Sequence, residues 1–155
     1  MANKSDTTWL YVADNGHLVT TTPADECPLT LEEIKAKDVP TDRTVYTVNT
    51  ADLPNHNYDF RDSWTYDGTI FGIDMTKAKD KHRKRIRLAR TDLLADLDIQ
   101  FQRALETGAS TADIVAKKQA LRDAPADSAI DAASDVAALR AQWNTAILGE
   151  SPYVS

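Results

Sequence analysis

Between residues 74 and 107 one stripe of positions recurs at steps of three and four: Met75, Ala78, His82, Ile86, Ala89, Leu93, Leu97, Gln100 and Ala104. No proline or glycine interrupts it. This period predicts a single helix with those side chains on one face, Asp74 at its N-cap and Gly108 just past its end. At 1.5 Å per residue the helix would extend about 50 Å. The preceding pattern is strand-like and punctuated by turns. Thr8-Trp9-Leu10-Tyr11-Val12, then Asp14-Asn15-Gly16, then His17-Leu18-Val19-Thr20-Thr21 read as two strands joined by a tight turn.

Thr30 and Glu33 form a capping box for a short helix that runs through about residue 37 and is closed by Pro40. Residues 44–49 read as a strand, 53–57 as a loop and 60–64 as a helical turn with Phe60 and Trp64 on one side. Tyr66-Asp67-Gly68 reads as a second tight turn and 69–73 as a last strand. Beyond Gly108, Ser110 with Asp113 predicts the cap of a second helix over 111–122, stopped by Ala124-Pro125. So short a link implies an antiparallel helical hairpin. Ser134 is expected to open a third helix, ended by Gly149, in which Val136, Leu139, Trp143 and Ile147 share a face. The expectation is an α+β chain: a small β-rich domain over 1–73, a long-helix antiparallel hairpin with a short third helix over 74–149, and a tail over 150–155.

Charge changes this picture at one place. The net charge is −6 over 155 residues. Residues 1–76 carry 13 acids and 5 bases, 77–90 carry 1 and 8, and 91–155 carry 10 and 5. The basic run occupies the first half of the long helix, where the helix dipole favours acids, so something outside that helix is expected to compensate it. Its cations surround every side except the apolar stripe, whereas a groove reader would concentrate them on one face. With the rest of the chain acidic, nucleic acid is the weaker reading. Lys79, Arg83, Arg87 and Arg90 are instead the candidates for contact with an acidic protein surface. Phe60, Trp64 and Trp143 are candidate aromatic anchors for a partner, beside the plainer reading that they fill cores.

No catalytic, cofactor or metal site is expected. His17, His56 and His82 lie on separate elements, and Cys27 is alone, with no ligand-spaced neighbour. The glycines are singletons at turns, so no phosphate-cradling loop is formed, and no nucleophile elbow occurs. His82, on the apolar stripe, is read as a ring filling the seam with a polar partner, against the sharper reading of a pH switch at a partner surface. Gln100 is read as an edge position rather than a register-fixing polar residue. The N-terminus lacks an apolar leader core, and no run approaches membrane-spanning length, so a soluble chain made in the cytosol is expected.

Three segments resemble a family of small tailed-bacteriophage and prophage proteins related to tail-fibre assembly proteins. The first is Phe60-Arg61-Asp62-Ser63-Trp64-Thr65-Tyr66-Asp67-Gly68. The second is Asp74-Met75-Thr76-Lys77-Ala78, continued by His82-Arg83, Ile86-Arg87 and Ala89-Arg90. The third is Leu97-Asp98, then Lys118-Gln119-Ala120-Leu121-Arg122-Asp123, with a closing helix from Leu139 to Trp143. Many relatives end in Trp-Pro, whereas here Asn144 follows Trp143. The resemblance implies a non-enzymatic assembly or attachment protein that binds a phage tail-fibre or other tail protein and assists its trimerisation or attachment. It implies a place in the host cytoplasm at synthesis and in the virion tail after assembly, and a homo-oligomer associated with the trimer is consistent with it. It carries over no catalytic residue. A capsid or tail decoration protein and a nucleic-acid-binding accessory protein acting through 77–90 are the alternatives.

Overall fold

The computed structural model describes residues 2–54 and 59–153. The chain is α+β, with small sheets first and helices after, in two compact units, Met1–Asp74 and Met75–Ser155. Among the described residues no helix is long and apolar enough to cross a membrane. Part of the loop expected at 53–57, with His56, lies outside the described residues.

In the first unit β1 (Thr7–Val12), β2 (Leu18–Thr21) and β3 (Tyr46–Asn49) form an antiparallel sheet in the order β2-β1-β3. Trp9 stands opposite Thr21 on one side and Thr47 on the other. Consecutive side chains of a strand point to opposite faces, so a central strand covered on both faces is apolar at successive positions. Trp9 packs with Val39 and with Ile34 of α1 (Leu31–Asp38), and Leu10 packs with Leu18 and Trp64. Thr8 is also buried, and its hydroxyl is satisfied by those of Thr22 (2.7 Å) and Thr50 (2.8 Å). The capping box of α1 forms: Thr30 Oγ1 accepts from the Glu33 amide at 3.2 Å, and a Glu33 carboxylate oxygen accepts from the Thr30 amide at 2.8 Å.

Trp64 starts a second small sheet, β4 (Trp64–Tyr66) paired antiparallel with β5 (Phe71–Ile73). The helical turn before it is short, Arg61–Ser63. β5 begins later than the sequence suggests, because Asp67 Oδ1 takes the amides of Thr69 (2.8 Å) and Ile70 (2.9 Å) and holds both in the turn. Gly68 sits there at φ 100°, a left-handed conformation that its missing side chain permits.

The second unit is built on α2, Met75–Thr107, 33 residues long. Ala78, His82, Ile86, Leu97 and Ala104 of the predicted stripe are buried, whereas Gln100 is exposed. Gly108 (φ 68°) ends the helix, and the Ala109 amide closes back on the Ala104 carbonyl at 2.8 Å, a Schellman-type cap. α3 (Ala112–Asp123) returns antiparallel: Lys118 reaches Asp98, and Arg90 reaches the end of α3. The expected Ser110–Asp113 capping box does not form. α3 begins one residue later, with Thr111 at its N-cap, and Ser110 Oγ meets only the Ala112 amide, at 3.4 Å.

Where one third helix was expected from Ser134 to Gly149, the chain forms two short ones, α5 (Val136–Arg140) and α6 (Thr145–Leu148), preceded by another that the sequence reading did not include, α4 (Ser128–Ala132). Each is opened by a side chain that captures a backbone amide: Asp127 takes Ala129 (2.9 Å), Asp135 takes Ala138 (2.7 Å) and Asn144 takes Ala146 (3.1 Å). Asn144 breaks the predicted helix because a short amide side chain competes with the helical ladder and prefers a cap. The Trp143 indole N–H then crosses the break to the Gly149 carbonyl at 3.1 Å.

Candidate functional site

The basic run is largely turned onto its own unit. The last carbonyls of a helix have no partner within it, and two of those at the end of α3, of Leu121 and Arg122, accept from Arg90 Nη1 at 3.1 and 2.8 Å. Arg83 donates to the Pro125 carbonyl at 3.0 Å and to the Asp131 carboxylate at 2.5 Å, and Lys79 Nζ to the Asp131 carbonyl at 2.7 Å. The helix with too many cations thus lies beside a segment with too many carbonyls, and each meets the other's need. Periodicity alone could not show this, because all the acceptors but the Asp131 carboxylate are backbone oxygens. Arg87 and Lys84 stay exposed.

The candidate anchors Phe60, Trp64 and Trp143 are all buried, in the cores of their own units. A ring so covered offers little surface to a partner. Trp143 belongs to a cluster that the sequence did not reveal. His82, fully buried, stacks on Tyr153 with ring planes 9° apart and centroids at 5.6 Å, and its Nδ1 meets the Tyr153 hydroxyl at 2.5 Å. Trp143 stands edge-on to both rings, and the Arg85 guanidinium lies 5.1 Å from the centre of the Tyr153 ring. Nothing periodic marks Tyr153, a single aromatic in the terminal stretch read as a tail.

Burial pushes the His82 imidazole below its ordinary range; the nearby charges of Arg85 and Arg83 act in the same direction, and the Gln142 backbone pulls the other way. A depressed pKa means that the unfolded chain binds the proton more readily, so stability is complete above the unfolded value of about 6.5 and falls as the pH drops towards the folded one. Melting temperature should therefore decline between pH ~7 and ~5, and the decline should be smaller in His82→Gln. Parallel profiles for the two proteins would place the acid loss elsewhere. Asp25, Glu33, Asp42 and Asp67, held below their usual values, titrate under that window.

The unit also carries a concave surface. Leu93, Leu97, Leu121 and Ile147 floor a groove of about 560 Å³ between α2, α3 and α6, with Asp96, Gln100 and Lys117 at its rim. Apolar walls with a few polar groups and a volume of this order suit one or two anchoring side chains of a ligand. The long helix, the return of α3 and the Asn144 cap that redirects the chain into α6 together create it. The sequence reading placed Leu93, Leu97 and Ile147 on apolar faces but could not show that those faces leave a gap. Among the described residues no group of three or more His, Cys, Asp or Glu side chains is placed to hold a metal ion. Cys27 is a half-buried free thiol. Comparison with family models, curated proteins and solved structures finds no match.

Proposed function

We propose that this chain is a non-enzymatic assembly or attachment protein of a tailed phage, which binds a tail-fibre or other tail protein. The groove between α2, α3 and α6 is the observation that carries this reading, as a place where an apolar segment of such a partner can anchor. The three segments that resemble tail-fibre assembly proteins lie in β4 and its following turn, in α2, in the second half of α3 and in α5 with Trp143, so part of the resemblance falls on the two long helices that wall the groove. On this reading the protein works in the host cytoplasm at synthesis and ends in the virion tail. Nucleic-acid binding through 77–90 loses support, because Lys79, Arg83 and Arg90 are engaged by their own unit.

The test is co-expression with the tail-fibre protein of the same genome. The two should co-purify, and Ala116→Glu, an exposed position on the groove wall, should weaken capture by about tenfold or more while leaving the melting temperature nearly unchanged. Capture that ignores this change would remove the groove from the reading. Failure of every tail protein to co-purify, with a steep fall of DNA affinity as salt rises, would replace it with nucleic-acid binding.

A further inference from the structure

The segment that carries Tyr153 is held at both of its ends. At its base the Trp143 indole donates to the Gly149 carbonyl, at a bend whose φ of 82° glycine permits. A Cβ at Gly149 would meet no neighbouring atom within 4 Å, so the bend is not enclosed. At its tip the Tyr153 ring stacks on His82, edge-on to Trp143, with the Arg85 and Arg140 guanidiniums 5.1 and 5.7 Å from its centre. Between base and tip, Glu150 and Pro152 are exposed. His82 beneath the ring is fully buried. Its Nδ1 meets the Tyr153 hydroxyl, and its Nε2 is buried without a formed hydrogen bond. No acid stands ready for a charged imidazole among the described residues. The Asp131 carboxylate of α4 is taken by Arg83, Glu150 faces solvent, and α6 carries no titratable side chain. The charges that reach the ring, Arg83 and Arg85, are both positive.

We propose that Tyr153 is an acid-released clasp: protonation of His82 drives the ring off its seat and frees the segment beyond Gly149, while the α2–α3 hairpin stays folded. With the clasp closed, an imidazolium would be enclosed beside two guanidiniums and would have no counter-charge. With it open, water reaches the imidazole and screens those neighbours. The open form therefore takes the proton more readily, and falling pH must favour it. The sign follows: the closed form is fully favoured above the ordinary imidazole value of about 6.5 and loses its advantage below it. A cation under a phenol ring is attracted to its face. This ring already holds two guanidiniums, and a third charge so near them is repelled. The contacts that close the hairpin, Leu97 beside Leu121 and Arg90 on the end of α3, do not involve Tyr153. The clasp is separate from the groove and does not depend on the fibre reading.

The test is a pH titration of the full chain by NMR from about pH 8 to 5. The Tyr153 amide and ring resonances should move towards random-coil positions along the same curve as the His82 ring protons. The ratio of open to closed clasp should rise by about tenfold over that range, with the amide dispersion of α2 and α3 retained. Two variants separate cause from coincidence. In Tyr153→Ala the cover is gone, so His82 should titrate closer to its ordinary value while the helices persist. In His82→Gln, which cannot take the proton, Tyr153 should stay docked throughout. If His82→Gln does not fold, the Tyr153→Ala comparison decides alone. Tyr153 resonances that ignore the His82 titration, an unchanged His82 titration in Tyr153→Ala, or the same release in His82→Gln would each overturn the proposal. So would loss of α2 dispersion in step with Tyr153, which would make the event acid unfolding of the whole unit.

Discussion

Leu97→Asp is expected to unfold most of the helical unit. Leu97 lies on the seam of α2 with α3, 8% exposed, beside Leu93 and Leu121. A carboxylate there loses apolar contact, and Lys118, which reaches the neighbouring Asp98, is already taken by it. A fully enclosed charge would cost more, but the groove lets water reach one side, so about 3 kcal/mol is the expected loss. That is a large part of the stability of a domain of this size. Thermal melts followed at 222 nm should show α2 and α3 losing order together, whereas Leu97→Met, similar in volume, should cost less than about 1.5 kcal/mol. An aspartate variant that melts within a degree or two of the parent would mean that the seam runs elsewhere on α2.

The second large effect is expected in the other unit. Leu10 is fully buried on the central strand, against Leu18 and Trp64, and truncation to alanine leaves a cavity that strands paired on both sides cannot easily close. Such a change costs about 2–5 kcal/mol, and a unit of this size has little stability to spare. In Leu10→Ala the amide NMR resonances of β1 and β2 should collapse towards random-coil positions, while those of α2 keep their dispersion. Retained dispersion in β1 at an unchanged denaturation midpoint would show that the Leu10 site repacks, and that its enclosure contributes little.

What could be read before the structure was what local patterns encode. The hairpin around Gly16, the capping box of Thr30 and the span of α2 follow from residues near in sequence, and all are present. The third helix was misjudged because Val136, Leu139, Trp143 and Ile147 keep helical spacing through Asn144, while only the geometry shows the Asn144 amide group starting a new turn. The use made of the basic run was not legible, since its acceptors, the Asp131 carboxylate apart, are carbonyls, which every residue possesses. Tyr153 was passed over because one ring in an irregular stretch has no period. Likewise the groove is a property of how three faces fail to close, and no single face records it.

The long-range bonds of α2 also imply an order of assembly. Moving away from the Gly108 turn, the partners become more distant in sequence: 20 residues for Asp98 with Lys118, 31 for Arg90 with Leu121, 42 for Arg83 with Pro125 and 52 for Lys79 with Asp131, while His82, between the last two, reaches farthest, 71 residues to Tyr153. The entropy of closing a loop depends on the length still free, so each contact, once made, leaves only a short extra loop for the next. The helical unit can therefore zip from its hairpin outward, with no step that must bring remote segments together at once. Topology of this kind favours fast folding for its size. It also leaves the ring of Tyr153 as the last piece to dock and the first to come away.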